Sequence, residues 1–222
     1  MALLDWTQYI VGTPTVEIEN FTQIVGIGSL RQAGTEILST LVENNYTRGL
    51  TRGKIRDLIR IDTCTGGSDY DAGFFFMASQ DDLTASGECY TVSINCSSTS
   101  ANTRIELHYH SSGINASPTV IFSSDPFDRD DTAGPLIIAL EVEWVYEPTL
   151  LNGILITVRE GHDPSLTDFS NLSIIGKTIV FEEDPFFIGT SSSEGIYVDS
   201  RGSTGNLDVI RDSTRITELV PV

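Results

Sequence analysis

Lysine is almost missing from this chain: Lys54 and Lys177 are the only two in 222 residues. With 13 Lys and Arg against 31 Asp and Glu, the formal net charge is −18. Such a surface repels phosphate backbones and anionic lipid, which excludes nucleic acid and membrane as direct partners. No apolar run approaches the roughly 18 residues that a membrane span needs. The opening MALLDWTQYIV has no basic segment and carries Asp5 where a secretory leader would be apolar, so the expectation is a protein that stays where it is made. Cysteines number three, Cys64, Cys89 and Cys96, an odd count at no paired spacing. Cys89 and Cys96 fall on one strand with opposite parity and cannot join without breaking it, so free buried thiols are expected. Phosphate-cradling glycine loops and a G-x-S-x-G elbow are also absent.

Helical periodicity is scarce too. The best helix candidate is Glu36 to Asn44, with Ile37, Leu38, Leu41 and Val42 at helical spacing over about two turns. What fills the chain instead is a period of two. In Leu136 to Tyr146, LIIALEVEWVY, the residues Leu136, Ile138, Leu140, Val142, Trp144 and Tyr146 point one way, and Glu141 and Glu143 the other. Tyr90, Val92, Ile94 and Cys96 alternate likewise, as do Ile105, Leu107 and Tyr109, and Ile154, Ile156 and Val158. Asp71 to Ser79, DAGFFFMAS, is apolar on both faces, which predicts a strand buried on two sides or one at a subunit interface, the core being favoured. Leu151-Asn152-Gly153 marks a hairpin after the Trp144 strand. Half-buried strands recurring between turn residues predict an all-β antiparallel sandwich with at most one or two short helices. Residues 1–20 read as an arm or a short first strand and residues 21–222 as a single domain, with no repeat and no linker.

Several clusters carry possible chemistry. Arg48, Arg52, Lys54, Arg56 and Arg60 form a basic stripe, either a solvated strand face paired with neighbouring carboxylates or a contact surface for an acidic partner. Asp125, Asp128, Asp130 and Asp131 put four carboxylates within seven residues, the oxygen-rich set that a hard cation such as Ca2+ takes, though without the EF-hand glycine and closing glutamate. Asp69 and Asp71 make a weaker pair. His108 and His110 share a strand face and could begin a zinc site, but no third ligand is evident, and an outward-facing strand surface is expected.

The order of GIGSLR (Gly26 to Arg31), GKIRDLIRID, GFFFMAS, the Trp144 strand, the Asn152-Gly153 hairpin and EGIYVDS through RDSTRITEL resembles a laminin G-like, concanavalin A-type jelly roll over roughly residues 20–219. The resemblance implies a domain that binds sugars, lipids or proteins. It also points to the glycoside hydrolases on this fold, and to appendage and decoration domains of viral particles. The hydrolases use a pattern similar to E-[hydrophobic]-D-x-x-E. Here Glu141-Val142-Glu143 runs into Trp144-Val145-Tyr146, so the third acid is missing and no enzyme is expected.

The sequence reading is therefore a non-enzymatic interaction protein. Its composition suggests a bacteriophage virion component, a head decoration or tail-associated protein assembled in the host cytoplasm. Such a protein would contact capsid or tail subunits and further copies of itself. The alternative is a carbohydrate-binding module or lectin-like adhesin. A lectin site would need exposed aromatics on loops, for which Tyr46, Tyr70, Phe127 and Phe169 are available.

Overall fold

The computed structural model of the chain describes residues 6–18, 30–35, 38–43, 52–66, 69–128, 137–145, 153–160, 173–181, 193–201 and 204–219. Strand alternation of the kind seen around Trp144 can bury its apolar face only against a second sheet, and two seven-stranded antiparallel sheets result. The front sheet runs β1 (Trp6–Val11), β4 (Leu38–Glu43), β13 (Ser193–Asp199), β6 (Tyr70–Ala78), β7 (Cys89–Cys96), β8 (Arg104–His110) and β9 (Thr119–Ser123). The back sheet runs β12 (Ser173–Phe181), β11 (Gly153–Glu160), β10 (Ile137–Val145), β5 (Arg52–Cys64), β14 (Asn206–Glu218), β3 (Leu30–Thr35) and β2 (Thr15–Ile18). The all-β sandwich expected from the alternation is what forms. Within the segment expected as an arm or a short first strand, Trp6–Val11 forms β1 in one sheet and Thr15–Ile18 forms β2 in the other. A 3-10 turn at Ser100–Asn102 is the only helical element among the described residues.

Between the sheets lies one large core. Ile55, Ile59 and Ile61 of β5, Leu140, Val142 and Trp144 of β10, and Ile154, Ile156 and Val158 of β11 face Ala72, Phe74, Phe76, Val92, Ile94, Ile105 and Leu107. Trp144 stacks on Phe76 across the gap, with ring centroids 4.9 Å apart. It fits because Gly53 stands opposite it on β5; a Cβ there would lie 2.1 Å from the indole.

β6 is buried along its whole length, as its two apolar faces predicted. Its second face packs under a smaller cluster of Leu38, Val42, Phe75, Ala78, Leu83, Cys89, Ile114 and Tyr197. Leu83 and Ile114 come from the loops 79–88 and 111–118, which are stitched together by Ile114 N–H to Leu83 O (2.8 Å) and Gly113 N–H to Gly87 O (2.6 Å). Cys89 belongs to this outer cluster and Cys96 to the central core, so opposite parity separates them, and all three cysteines are free and buried.

Two expectations are corrected. The helix placed at Glu36 to Asn44 is the strand β4 from Leu38 to Glu43, paired with β1 on one side and β13 on the other. Leu38, Thr40 and Val42 are buried at strand spacing. A two-turn helix is marginal alone, and two flanking strands satisfy the same backbone groups. His108 and His110, expected to face solvent, are 0% and 2% exposed, because loops roof that part of the sheet.

Candidate functional site

The basic stripe lies on the outward side of β5, where Arg52, Lys54, Arg56 and Arg60 alternate with buried Gly53, Ile55 and Asp57. Arg48 lies outside the described residues. Register puts Lys54 opposite Glu143 and Arg56 opposite Glu141, and Lys54 Nζ bridges both carboxylates, with Glu141 Oε2 at 3.3 Å. Arg60 pairs with Asp62. The two glutamates of the incomplete hydrolase pattern are thus the stripe's own counter-ions, on a sheet face remote from the clefts described below. Of the proposed cation ligands, Asp125 and Asp128 are exposed on the loop after β9, and Asp130 and Asp131 lie outside the described residues. Among the described residues no three His, Cys, Asp or Glu side chains gather to hold a metal ion.

Of the aromatics put forward for a sugar site, Tyr46 and Phe169 lie outside the described residues. Tyr70 is fully buried and donates to Thr65 O (2.6 Å). Phe127, tied to Thr103 by a backbone bridge, lies with Phe122, Asp125 and Lys177 around a cleft of about 590 Å³ at the open edge between β9 and β12. The floor of that cleft is the apolar core, Ile105, Ile156 and Val158.

The densest polar chemistry lies elsewhere, on the outer face of the front sheet. Cross-strand register aligns Leu38, Asp199, Asp71, Asn95 and Arg104 in one row over β4, β13, β6, β7 and β8. The adjacent row is Thr40, Tyr197, Gly73, Ser93 and Glu106. Directly opposed residues of an antiparallel pair share a face, so these side chains meet. Asp71 Oδ1 accepts from Ser93 Oγ (3.0 Å) and Asn95 Nδ2 (3.1 Å), and its Oδ2 accepts from Arg201 Nε (2.6 Å). Arg201 Nη2 reaches His108 Nδ1 (3.3 Å), which makes Nδ1 the acceptor and puts the ring proton on Nε2. That Nε2 is 3.0 Å from Glu106 Oε2, off the hydrogen-bond direction. Thr91 Oγ1 and His110 Nε2 are 3.0 Å apart. Tyr197 Oη lies within reach of Ser93 and Thr91, His110 lies against the Gly113 backbone, and Ser200 Oγ is buried without a hydrogen-bond partner among the described residues.

Burial and then the Asp71 charge push the Asp199 carboxyl up to about 7. Burial and then His108 push the His110 imidazole down to about 4. Perturbed groups beside clefts mark functional surfaces, and a cleft opens at each end of this cluster. One, of about 430 Å³, is lined by Asp69, Asn95, Ser97, Ser98, Thr99, Asn102, Arg104 and Glu106. The other, of about 250 Å³, lies under the 111–118 loop and is lined by Asn115, Ser117, Asp199 and Arg201 together with Ile114, Ala116 and Pro118. Such surfaces offer many directional donors and acceptors and little apolar area, which suits a hydroxyl-rich ligand.

Sequence reasoning missed this cluster because its members are scattered from Asp69 to Arg201 and meet only through register. A usable signal was there: Asp71 is the one charge in the otherwise uncharged strand β6, and buried charges need partners.

Neither a family model nor a curated protein sequence matches the chain. Its fold is similar to that of solved structures. The marine PL-14 alginate lyase from Aplysia kurodai superposes with a TM-score of 0.61 at 9% identity, covering 96% of this chain and 90% of that one. A legume lectin-like domain from Entamoeba histolytica gives 0.54 at 9% identity, over 97% and 91%. The VIP36 exoplasmic/lumenal domain, in its Ca2+/Man3GlcNAc-bound form, gives 0.53 at 8% identity, over 98% and 85%. The fold is therefore the antiparallel jelly-roll β-sandwich that the sequence resemblance implied.

Proposed function

We propose that the protein is a carbohydrate-binding module, and that the outer face of its front sheet holds the glycan. One observation carries this reading: the row Asp199, Asp71, Asn95 and Arg104 crosses four neighbouring strands and ends in a polar cleft on each side. Planar carboxylate, amide and guanidinium groups fixed by one another can present paired donors and acceptors to vicinal hydroxyls with little left to order on binding. Solved proteins of similar fold include a legume lectin-like domain and a domain with a bound oligosaccharide, which supports the reading. It displaces the virion role drawn from composition, for which neither the structure nor the similar proteins offer support. It also leaves the expectation of a non-enzymatic protein in place, as part of the proposal.

The test is binding to a panel of neutral and acidic polysaccharides, by affinity electrophoresis and then calorimetry. Arg104 is half-buried and Asn102 exposed at the larger cleft, so Arg104→Ala and Asn102→Ala should each weaken binding about tenfold, the effect of one lost hydrogen bond to a charged or polar group. Lys177→Ala at the distant edge cleft should change nothing. A folded protein that retains no member of the panel would end the proposal.

A further inference from the structure

We infer that the smaller cleft is a subsite for a sugar bearing a carboxylate, such as a hexuronate, gripped by Arg201. This rests on the glycan-binding reading and names the ligand class within it. The first support is backbone geometry. Arg201 has φ 47°, a left-handed conformation that a residue with a Cβ adopts at a cost, and such residues cluster at ligand clamps. Asp199 Oδ1 holds it there by accepting the Arg201 N–H at 2.7 Å.

The second support is the guanidinium's wiring. Nε and Nη2 are fixed on Asp71 and His108, whereas Nη1 has no partner among the described residues. A guanidinium anchored along one edge is pre-organised to donate along the other, the geometry that matches a carboxylate.

The third is charge. Arg201 offsets the charge of Asp71, which is still felt at Asp199, so the protonation of Asp199 decides the net sign of the cleft. Among the described residues the charged groups that act on Asp199 are Asp71, opposite it on β6, and Arg201 on the following turn; Leu38 of β4 stands on its other side and the uncharged 111–118 loop shares the cleft with it. Burial and the Asp71 charge raise the Asp199 carboxyl to about 7, so its protonated form is within reach near neutral pH. In that form it donates to an arriving carboxylate alongside Arg201, with Asn115 and Ser117 as uncharged partners. A volume of about 250 Å³ suits one ring rather than a chain.

Linkage then sets the sign of the pH dependence. A bound carboxylate favours protonated Asp199, so affinity is full below pH 7 and falls as pH rises through it, by up to about tenfold per unit. A ligand that needs Asp199 as an acceptor would show the opposite slope. Long-range repulsion from the net charge of −18 is screened by salt, so affinity should hold or rise from about 20 to about 200 mM NaCl, over which the Debye length falls from roughly 20 to roughly 7 Å.

The experiment is calorimetry from pH 5.5 to pH 8.5 with oligogalacturonate, oligoguluronate and a hyaluronan tetrasaccharide, each beside its carboxyl-reduced counterpart. At pH 6 at least one acidic form should bind about tenfold or more tighter than its reduced form, and the advantage should fade towards pH 8.5. Arg201→Gln should abolish the advantage. Since that change leaves buried Asp71 without its cation, Asp199→Asn supplies an independent arm: its affinity for the acidic ligand should lose the pH dependence. Equal affinity for acidic and reduced ligands at pH 6 would overturn the subsite while leaving glycan binding standing. Failure of both ligand classes to bind would remove the glycan reading and the subsite together.

Discussion

At the scale of single residues, the front-sheet cluster should be visible in stability as well as binding. The Asp199 carboxyl ordinarily titrates near 3.8 and is raised to about 7, first by burial and then by Asp71. Between those values the folded state holds a proton that the unfolded chain has lost, so raising the pH through this window removes stability. His110 works the other way. Its imidazole is lowered from 6.5 to about 4, chiefly by burial, so the unfolded chain holds the extra proton there and stability is lost as pH falls. The two slopes oppose one another between about pH 4 and pH 6.5, and Asp199→Asn separates them. Relative to the parent, that variant should gain on the order of 2–4 kcal/mol from pH 4 to pH 8, at about 1.4 kcal/mol per pKa unit. Urea titrations at several pH values would measure it; a constant difference would mean that Asp199 ionises normally. The cysteines give a simpler readout. All three are buried and free, and burial pushes the Cys89 thiol up. A thiol reagent should therefore modify none in the native protein and three after denaturation.

At the scale of elements, two sheets meet through a few side chains that could not be moved independently. Trp144 is fully buried against Phe76 and opposite Gly53, so a methyl at Gly53 has nowhere to displace it. Gly53→Ala should cost about 1–3 kcal/mol, the range for overpacking, whereas Gly176→Ala on β12, with nothing within 4 Å of the new carbon, should cost almost nothing. Thermal melts of the two variants would decide it. Arg211 of β14 is the second tie. It donates Nη1 to Asp57 Oδ2 (2.9 Å), Nε to Gln32 Oε1 (3.2 Å), and Nη2 to Gly73 O (3.1 Å) and Tyr197 O (2.7 Å). It therefore reaches from the back sheet to the strands that carry the site row. Breaking the buried pair in Arg211→Met strands Asp57 and should cost about 3–5 kcal/mol, while Arg211→Met with Asp57→Leu should recover most of it. A double variant no more stable than the single one would show that the carbonyl contacts, not the ion pair, matter.

At the scale of the whole molecule, charge dominates. A net charge of −18 strains any compact state by self-repulsion, so sodium chloride should raise the melting temperature. Calcium at matched ionic strength separates screening from ligation. A rise beyond that seen with magnesium or sodium, lost in Asp125→Asn with Asp128→Asn, would support a calcium site on that loop, and an equal rise would assign the effect to screening alone. The basic stripe of β5 fits the same picture: Lys54 already sits between Glu141 and Glu143, so much of its charge is balanced within the sheet.

The period-two pattern by itself determined the all-β class, the strand around Trp144, the two apolar faces of β6 and the separation of Cys89 from Cys96, because alternation and parity are local properties of a chain. It misplaced β4, since a short segment of Leu38, Leu41 and Val42 fits either period and only flanking strands choose between them. The candidate site was beyond its reach for a related reason. Asp71, Asn95, Arg104, Asp199 and Arg201 lie up to 130 residues apart, and what joins them is the pairing of β13, β6, β7 and β8. Which polar residues share a face follows from sequence; which of those faces meet, and which loops roof them, is decided by strand order and register, and these belong to the folded chain alone.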